Sequence, residues 1–194
     1  MKKTLLALAA LTVAVGAFAQ GQVAFKNGIS GSPTPFVYLA DGTSKVPANL
    51  APNLQAYAVD LYYGVAGIAS QSLLTPLGTT TYFVANTAQA GLFAGGTQLI
   101  PTVPAGSTAT LQIRAWETKG IYTSYASAYT AAVQGSGGLV GEGNLVQVAL
   151  NGPPSTPPNM IGIQPITLHP VPEPTTAAIA GLGLASMLIF RRKK

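Results

Sequence analysis

The chain has 194 residues, no cysteine and a formal net charge of +5, from ten lysines and arginines against five aspartates and glutamates. Six of the ten cations lie at positions 2, 3 and 191–194, whereas residues 20–170 carry four cations and four anions. A neutral middle region offers no counterion release to drive binding to DNA or RNA, so the composition excludes a nucleic-acid-binding protein. The lack of cysteine excludes disulfides and thiolate metal sites, and about 150 residues suit one domain with one core.

The amino end has the pattern of a cleaved signal peptide. Two lysines follow Met1, residues 4–15 are largely apolar, and Ala17-Phe18-Ala19 supplies the small-x-small site that signal peptidase accepts. We therefore expect export by the Sec machinery and removal of residues 1–19, so that the mature chain begins at Gln20. The alternative is an uncleaved anchor helix, which the short apolar stretch and the cleavage site both disfavour.

Residues 20–170 form the predicted ectodomain, and their pattern is that of an all-β fold. Short stretches of alternating apolar residues are separated by turn-forming residues. We predict a β-sandwich or jelly-roll-like pair of sheets, with one helix over residues 123–132 and loops over 135–143 and 151–159. Pro165 should place the last strand at an edge or split it at a bulge. The predicted strands cover residues 22–26, 35–39, 56–63, 79–84, 91–99, 108–116, 146–150 and 162–168.

Two of these strands assign side chains to opposite faces of a sheet, because successive residues of a strand point to alternate sides. In the strand 108–116, Leu111 lies on one face, and Arg114 and Trp116 lie on the other. In the strand 56–63, Asp60 and Tyr62 share the more polar face. We expect the apolar faces to line the core and the polar faces to point outward, where Asp60 and Arg114 could pair across the sheet.

Candidate catalytic groups are few in this region. His169 is the single histidine and stands directly before a proline near the carboxyl end, where a base or metal ligand would be poorly held. Asp41 stands beside a glycine as a turn former, and Glu142 lies between two glycines. A hydrolase that uses Asp60 and Glu117 stays open as a residual alternative. The sequence predicts no enzyme, no catalytic residue, no metal ligand and no cofactor.

The aromatic residues allow a sharper hypothesis. Trp116 and Tyr62 could form a flat platform on which sugar rings stack, while the tyrosine hydroxyl bonds the rim of the ring. The simpler interpretation is that these side chains fill the core of a sandwich or cover its edges. The first interpretation would make the domain a carbohydrate-binding module, and the second would not.

The carboxyl end has the pattern of a membrane-sorting segment. Val171-Pro172-Glu173-Pro174 precedes an uncharged run of 16 residues, 175–190, which is followed by Arg191-Arg192-Lys193-Lys194. As a helix this run would reach about 24 Å, against an apolar bilayer core about 30 Å thick, and the basic side chains can extend the span by snorkelling. We predict one transmembrane helix over 175–190, with the four cations as a cytoplasmic stop signal. A buried core helix is the alternative.

This arrangement resembles the PEP-CTERM sorting signal over the final residues, 171–194. The resemblance implies that Pro172, Glu173 and Pro174 are recognised by exosortase, a membrane-embedded transpeptidase-like enzyme that removes the tail. Such proteins usually belong to bacteria with two membranes that make extracellular polysaccharide. The middle of the chain also resembles an ectodomain that recurs in PEP-CTERM proteins, on stretches such as 59–64 and 112–117, and this ectodomain carries no assigned activity.

The sequence as a whole predicts an exported, non-enzymatic protein of the cell surface or the extracellular matrix. It would cross the inner membrane as a single-pass precursor, meet exosortase there, and then be attached to the surface or released. One alternative is a carbohydrate-binding β-sandwich that associates with extracellular polysaccharide. Another is a permanently anchored protein whose tail is never removed.

Overall fold

The computed structural model describes residues 20–29, 33–48 and 56–171. The predicted signal peptide 1–19 with Ala17 and Ala19, the motif Pro172-Glu173-Pro174, the predicted crossing 175–190 and the basic residues 191–194 lie outside the described residues. Within the described ranges, no helix combines the length and the hydropathy that a membrane crossing needs.

Strands make up most of the regular structure, which confirms the all-β prediction for the part of the chain that the structure describes. One α-helix and two short 3-10 turns, Gln71–Leu73 and Thr87–Gln89, complete the described elements. The elements in chain order are β1 Gln20–Lys26, β2 Val37–Tyr38, β3 Tyr57–Val65, β4 Thr75–Pro76, β5 Thr81–Tyr82, β6 Ala94–Pro104, β7 Thr108–Glu117, α1 Tyr125–Val133, β8 Val140–Glu142, β9 Val146–Ala149 and β10 Ile166–Thr167.

The central sheet is built on β3 and β7, which pair antiparallel from Tyr57 opposite Glu117 to Val65 opposite Ala109. The other edge of β3 pairs with β4 and β5, and the other edge of β7 pairs with β8 and β9. Each long strand therefore lies between its partner and two short strands. Because β3 and β7 alternate in polarity, this pairing fixes which side chains share a face.

A second layer covers one face of the central sheet. β1 and β6 pair antiparallel as a two-stranded sheet, and the buried side chains of that sheet belong to the same apolar cluster as those of β3 and β7. We call the face of the central sheet that lines this cluster the inner face. Among the aromatic residues of the cluster, the rings of Phe25 and Phe93 lie 5.0 Å apart. The central residues of the inner face are Val59, Leu61, Leu111, Ile113 and Ala115.

Helix α1 covers the opposite face of the central sheet, which we call the outer face. The helix begins after Ser124, whose hydroxyl accepts a hydrogen bond from the backbone N–H of Ser127 in a capping box. Tyr125 and Ala128 are buried against Ala58 and Trp116 of the sheet in a second apolar cluster. The predicted helix is thereby confirmed, with bounds displaced by one or two residues.

The loop predicted over 135–143 is wrong at β8, Val140–Glu142. Gly141 explains both why this strand forms and why the sequence pattern resembles a loop. A Cβ built on Gly141 would lie 2.8 Å from the carbonyl oxygen of Thr167 and 2.9 Å from a methyl carbon of Ile166. The glycine therefore lets β8 approach the chain at β10 closely. Glycine also marks turns, so the sequence pattern alone could not distinguish the two uses.

The short strands also differ in length from their predictions. The strand predicted over 162–168 is reduced to Ile166–Thr167 and begins directly after Pro165, because proline cannot donate to a ladder. The predicted strands 35–39 and 79–84 are reduced to Val37–Tyr38 and Thr81–Tyr82. The pattern did not predict β4, which has two residues and ends in a proline.

Candidate functional site

The predicted functional residues fall into two places, the end of the folded body and the outer face of the central sheet. At the end of the body, the chain pairs on both of its edges. On one edge, the Ile166 N–H donates to Phe36 O at 3.2 Å and the Leu168 N–H donates to Tyr38 O at 2.9 Å. On the other edge, His169 and Val140 exchange two backbone hydrogen bonds of 2.9 and 3.0 Å. Residues 166–169 therefore lie between β2 and β8, with a parallel pairing to β2 and a single bridge to β8.

This doubly paired segment ends just before the sorting motif. Val171 is half-buried and packs against the apolar cluster of the outer face. The predicted recognition residues begin at the next position in the sequence, Pro172. His169, expected as a solvated linker residue, has an exposed side chain, but its backbone belongs to the ladder. The sorting motif therefore follows Val171, the last residue that the structure describes, directly in the sequence.

At the amino end, the first residue of the predicted mature chain is also the first residue of β1. Gln20 is exposed, and the register pairs it with Pro104 at the end of β6. Removal of residues 1–19 would leave β1 complete.

The sugar platform predicted on Trp116 and Tyr62 is wrong in this structure. Trp116 has no exposed surface and Tyr62 is 6% exposed, because α1 and the segment after β7 cover them. The indole Nε1–H donates to the backbone oxygen of Tyr122 at 3.0 Å, as a buried tryptophan requires. Neither ring offers a face on which a sugar could stack.

The ion pair predicted between Asp60 and Arg114 is also wrong, although the register does place the two residues opposite each other. Arg114 instead extends toward the other neighbouring strand, where its Nε lies 3.5 Å from Glu142 Oε1. Asp60 is buried and accepts a hydrogen bond from the backbone N–H of Leu61 at 2.8 Å. Burial raises the pKa of Asp60 above its usual value, against smaller opposing effects of backbone hydrogen bonds from Leu61, Gly78 and Thr79.

Arg114 is the centre of a group of side chains that we call the Arg114 cluster. Its Nε donates to Gln112 Oε1 at 2.9 Å, and its guanidinium carbon lies 4.0 Å from the ring centroid of Tyr62 and 5.2 Å from that of Tyr125. The Tyr125 hydroxyl donates to Glu142 Oε1 at 2.9 Å. The cluster therefore ties α1 to β8 and to the central sheet. Its members are Arg114, Glu142, Tyr62, Tyr125 and Gln112.

Both tyrosines of the Arg114 cluster have a raised pKa. Burial first, and the neighbouring Glu142 carboxylate second, raise the pKa of Tyr125, so the phenol stays protonated and donates. Burial also raises the pKa of Tyr62. The alternation of β7 puts Gln112 on the face of Arg114, whereas only tertiary packing brings Tyr125 of α1 to Glu142.

The other acidic residues that the structure describes accept hydrogen bonds from backbone N–H groups. Asp41 Oδ1 accepts hydrogen bonds from the backbone N–H groups of Thr43 at 3.0 Å and Ser44 at 2.8 Å. Glu117 Oε2 accepts from the backbone N–H of Leu139 at 3.2 Å. Among the described residues, no three His, Asp or Glu side chains come together in a way that could hold a metal ion.

An open cleft of about 370 Å³ lies between β1, β6 and the segment 156–159. Its lining combines small and polar residues with Lys26 as its one charged residue, and it includes Ala24, Ala94, Thr97 and Asn159. Among the described residues that line it, none is acidic or aromatic.

Comparison with known proteins bears on the carboxyl end of the chain. No curated protein and no solved structure matches this sequence at a significant level. The family model of the PEP-CTERM protein-sorting motif matches residues 170–193, which follow directly on the doubly paired segment. This motif implies an exported protein, a membrane-anchored precursor and exosortase as the processing partner. The chain is therefore a protein that carries a PEP-CTERM sorting motif at residues 170–193.

Proposed function

We propose that the folded body is non-enzymatic cargo, delivered to the cell surface or the extracellular matrix after exosortase has cut the chain within or just after 171–174. The observation that carries this proposal is the pairing of residues 166–169 on both edges. A protease or transpeptidase needs an extended peptide that is free of other partners. Such a peptide can begin only after the body ends, at Val171.

The partners of the acidic residues support a structural role for the body. Residues 20–170 contain four acidic side chains, and each accepts a hydrogen bond within the fold. A general base or nucleophile would need a carboxylate that is aimed at a cleft and free to meet substrate. These carboxylates instead hold a turn, a strand and the contacts of α1 and β8.

The test is mass spectrometry of the mature protein isolated from its native cell. We expect an amino terminus at Gln20 and a carboxyl terminus within 171–174, or a mass that adds a surface component to that terminus. A carboxyl terminus at Lys194 would show a permanently anchored protein and would contradict the proposal.

A glycine variant tests whether the doubly paired segment sets the boundary of the cut. Gly141→Ala must push β8 away from the chain at Thr167, because the new Cβ would meet backbone at 2.8 Å. We expect this variant to yield additional carboxyl termini before Val171. Gly28→Ala is the matched control, since its Cβ would meet only a Leu92 methyl carbon at 3.9 Å. Identical termini in both variants would mean that exosortase, and not the fold, selects the cut.

A further inference from the structure

We propose that the precursor rests on the bilayer through the turn 119–122, with Ile121 at the level of the lipid headgroups. We call this turn the exit turn, because it lies beside the point where the chain leaves the body. The inference rests on the proposed function, since it requires that the tail cross the membrane. It adds a lipid-contacting surface on the folded body itself.

The length of the tether brings the body to the membrane. Four peptide units separate Val171 from Thr175, where the uncharged run begins. An extended chain spans at most about 3.6 Å per residue, so this separation is at most about 14 Å. The headgroup region on each side of a bilayer is about 5 to 8 Å thick. The end of the body that carries Val171 must therefore lie at or just above the headgroups.

The exit turn belongs to this end of the body. Val140 lies opposite both Trp116 and His169, and Val171 follows His169 by two residues, so the chain leaves the body near the end of β7 at Trp116. Ring carbons of Tyr122 lie 3.7 and 3.8 Å from the position of a Cβ on Gly138. Tyr122 and Val171 also pack against the same apolar cluster.

Backbone hydrogen bonds close the turn, and it presents an apolar side chain. The backbone N–H groups of Ile121 and Tyr122 both donate to Thr118 O, at 2.9 and 2.7 Å. Lys119 Nζ donates to the carbonyl oxygen of Gly137, across the neighbouring loop. Ile121 is nevertheless 70% exposed, although it is large and apolar. The fold therefore holds an isoleucine in the solvent at the end that faces the membrane.

The residue types of the exit turn suit a lipid interface. An apolar side chain, a tyrosine and a lysine whose stem can lie along the lipid are the groups that favour the headgroup level. The turn at Asp41 also lies near this end, because β2 runs parallel to β10. Its carboxylate favours water over an anionic lipid surface. We therefore expect the body to contact the headgroups through the exit turn, while Asp41 stays in water.

The test places one fluorophore on the full chain in vesicles of phosphatidylethanolamine and phosphatidylglycerol. The chain has no cysteine, so a single cysteine can be introduced and labelled with an environment-sensitive dye. Ile121→Cys reports on the exit turn. Ile161→Cys is the matched control, because Ile161 is 71% exposed. Gly162, next to Ile161, lies near Val146, and Val146 pairs with Leu111 on β7. Leu111 comes five residues before Trp116, so this control position is about 17 Å along the sheet from the exit turn.

We expect a blue-shifted emission at position 121 and its quenching by nitroxide-labelled lipids, with water-like emission and no quenching at position 161. Equal, water-like emission at both positions in a chain that floats with the vesicles would overturn this inference and leave the proposed function standing. A chain that does not float with the vesicles would overturn both. A dye at position 121 that responds only to membranes containing exosortase would overturn the lipid contact and assign the exit turn to the enzyme.

Discussion

The two faces of the central sheet are both buried, but by different kinds of contact. The inner face meets β1 and β6 through aliphatic and phenylalanine side chains, in a cluster that also includes β2 and β10. The outer face meets one helix through Trp116, two tyrosines and the Arg114 cluster. Stability on the inner face depends on apolar area, which many residue types can supply. On the outer face it depends on hydrogen bonds and ring contacts that few substitutions can replace.

The largest effect that would test this comparison is the loss of Trp116. We expect Trp116→Ala to lower the free energy of unfolding by about 3 to 5 kcal/mol. For Leu111→Ala on the inner face we expect a loss of about 2 to 5 kcal/mol, so the loss for Trp116 should lie at the upper end of that range. The substitution at Trp116 removes a fully buried ring and leaves the Tyr122 backbone oxygen without its hydrogen-bond donor. Urea unfolding of the full chain in detergent micelles, followed by circular dichroism, measures both. A clearly smaller cost for Trp116→Ala would mean that α1 is only a cover.

A smaller effect is expected from the carboxylate that joins α1 to β8. Glu142→Ala removes the partner of Arg114 and the acceptor of the Tyr125 hydroxyl. Breaking a fully buried ion pair lowers stability by more than this, but the Glu142 side chain is 32% exposed. We therefore expect Glu142→Ala to lower the free energy of unfolding by about 1 to 2 kcal/mol. A double-mutant cycle with Tyr125→Phe isolates the hydrogen bond. Strictly additive losses in that cycle would contradict the coupling of helix and strand through this carboxylate.

The smallest effect concerns the pH dependence that Asp60 adds. Burial raises the folded-state pKa of this carboxyl, so folding favours the protonated form. Its contribution to stability is therefore present below the unfolded-state pKa and is lost as the pH rises through the raised folded-state pKa. We expect Asp60→Asn to gain stability relative to the parent as the pH rises through that window. Unfolding curves measured by Trp116 fluorescence at several pH values check this, and a constant difference would contradict it.

The sequence predicts the central sheet well because apolar and polar residues alternate along most of the nine paired positions of β3 and β7. It also predicts α1, in which Tyr125, Ala128 and Tyr129 stand at helical spacing. It does not predict what covers the outer face. Asp60, Tyr62 and Arg114 have the polarity of a solvent-facing strand surface, and only tertiary packing brings α1 over them. The sugar platform and the Asp60 pair both assumed an open face, and both were wrong for that reason.

Short elements escaped prediction for a different reason. β8 has three residues and its central one is Gly141, so the local pattern resembles a loop. Its strand character depends on neighbours that are distant in the sequence, β7 on one side and the chain near His169 on the other. The sorting motif, by contrast, needed no fold at all to be identified. The motif consists of consecutive residues, and the family match at 170–193 confirms its identification from the sequence.

The position of β10 has a mechanical consequence for a body that is attached by its carboxyl end. Hydrogen bonds on both edges of residues 166–169 run across the strand, while a pull on Val171 acts along it. Such a load shears several bonds at once and does not open them one after another. A protein attached to the cell surface through Val171 would therefore transmit a pulling force into its central sheet before residues 166–169 detached.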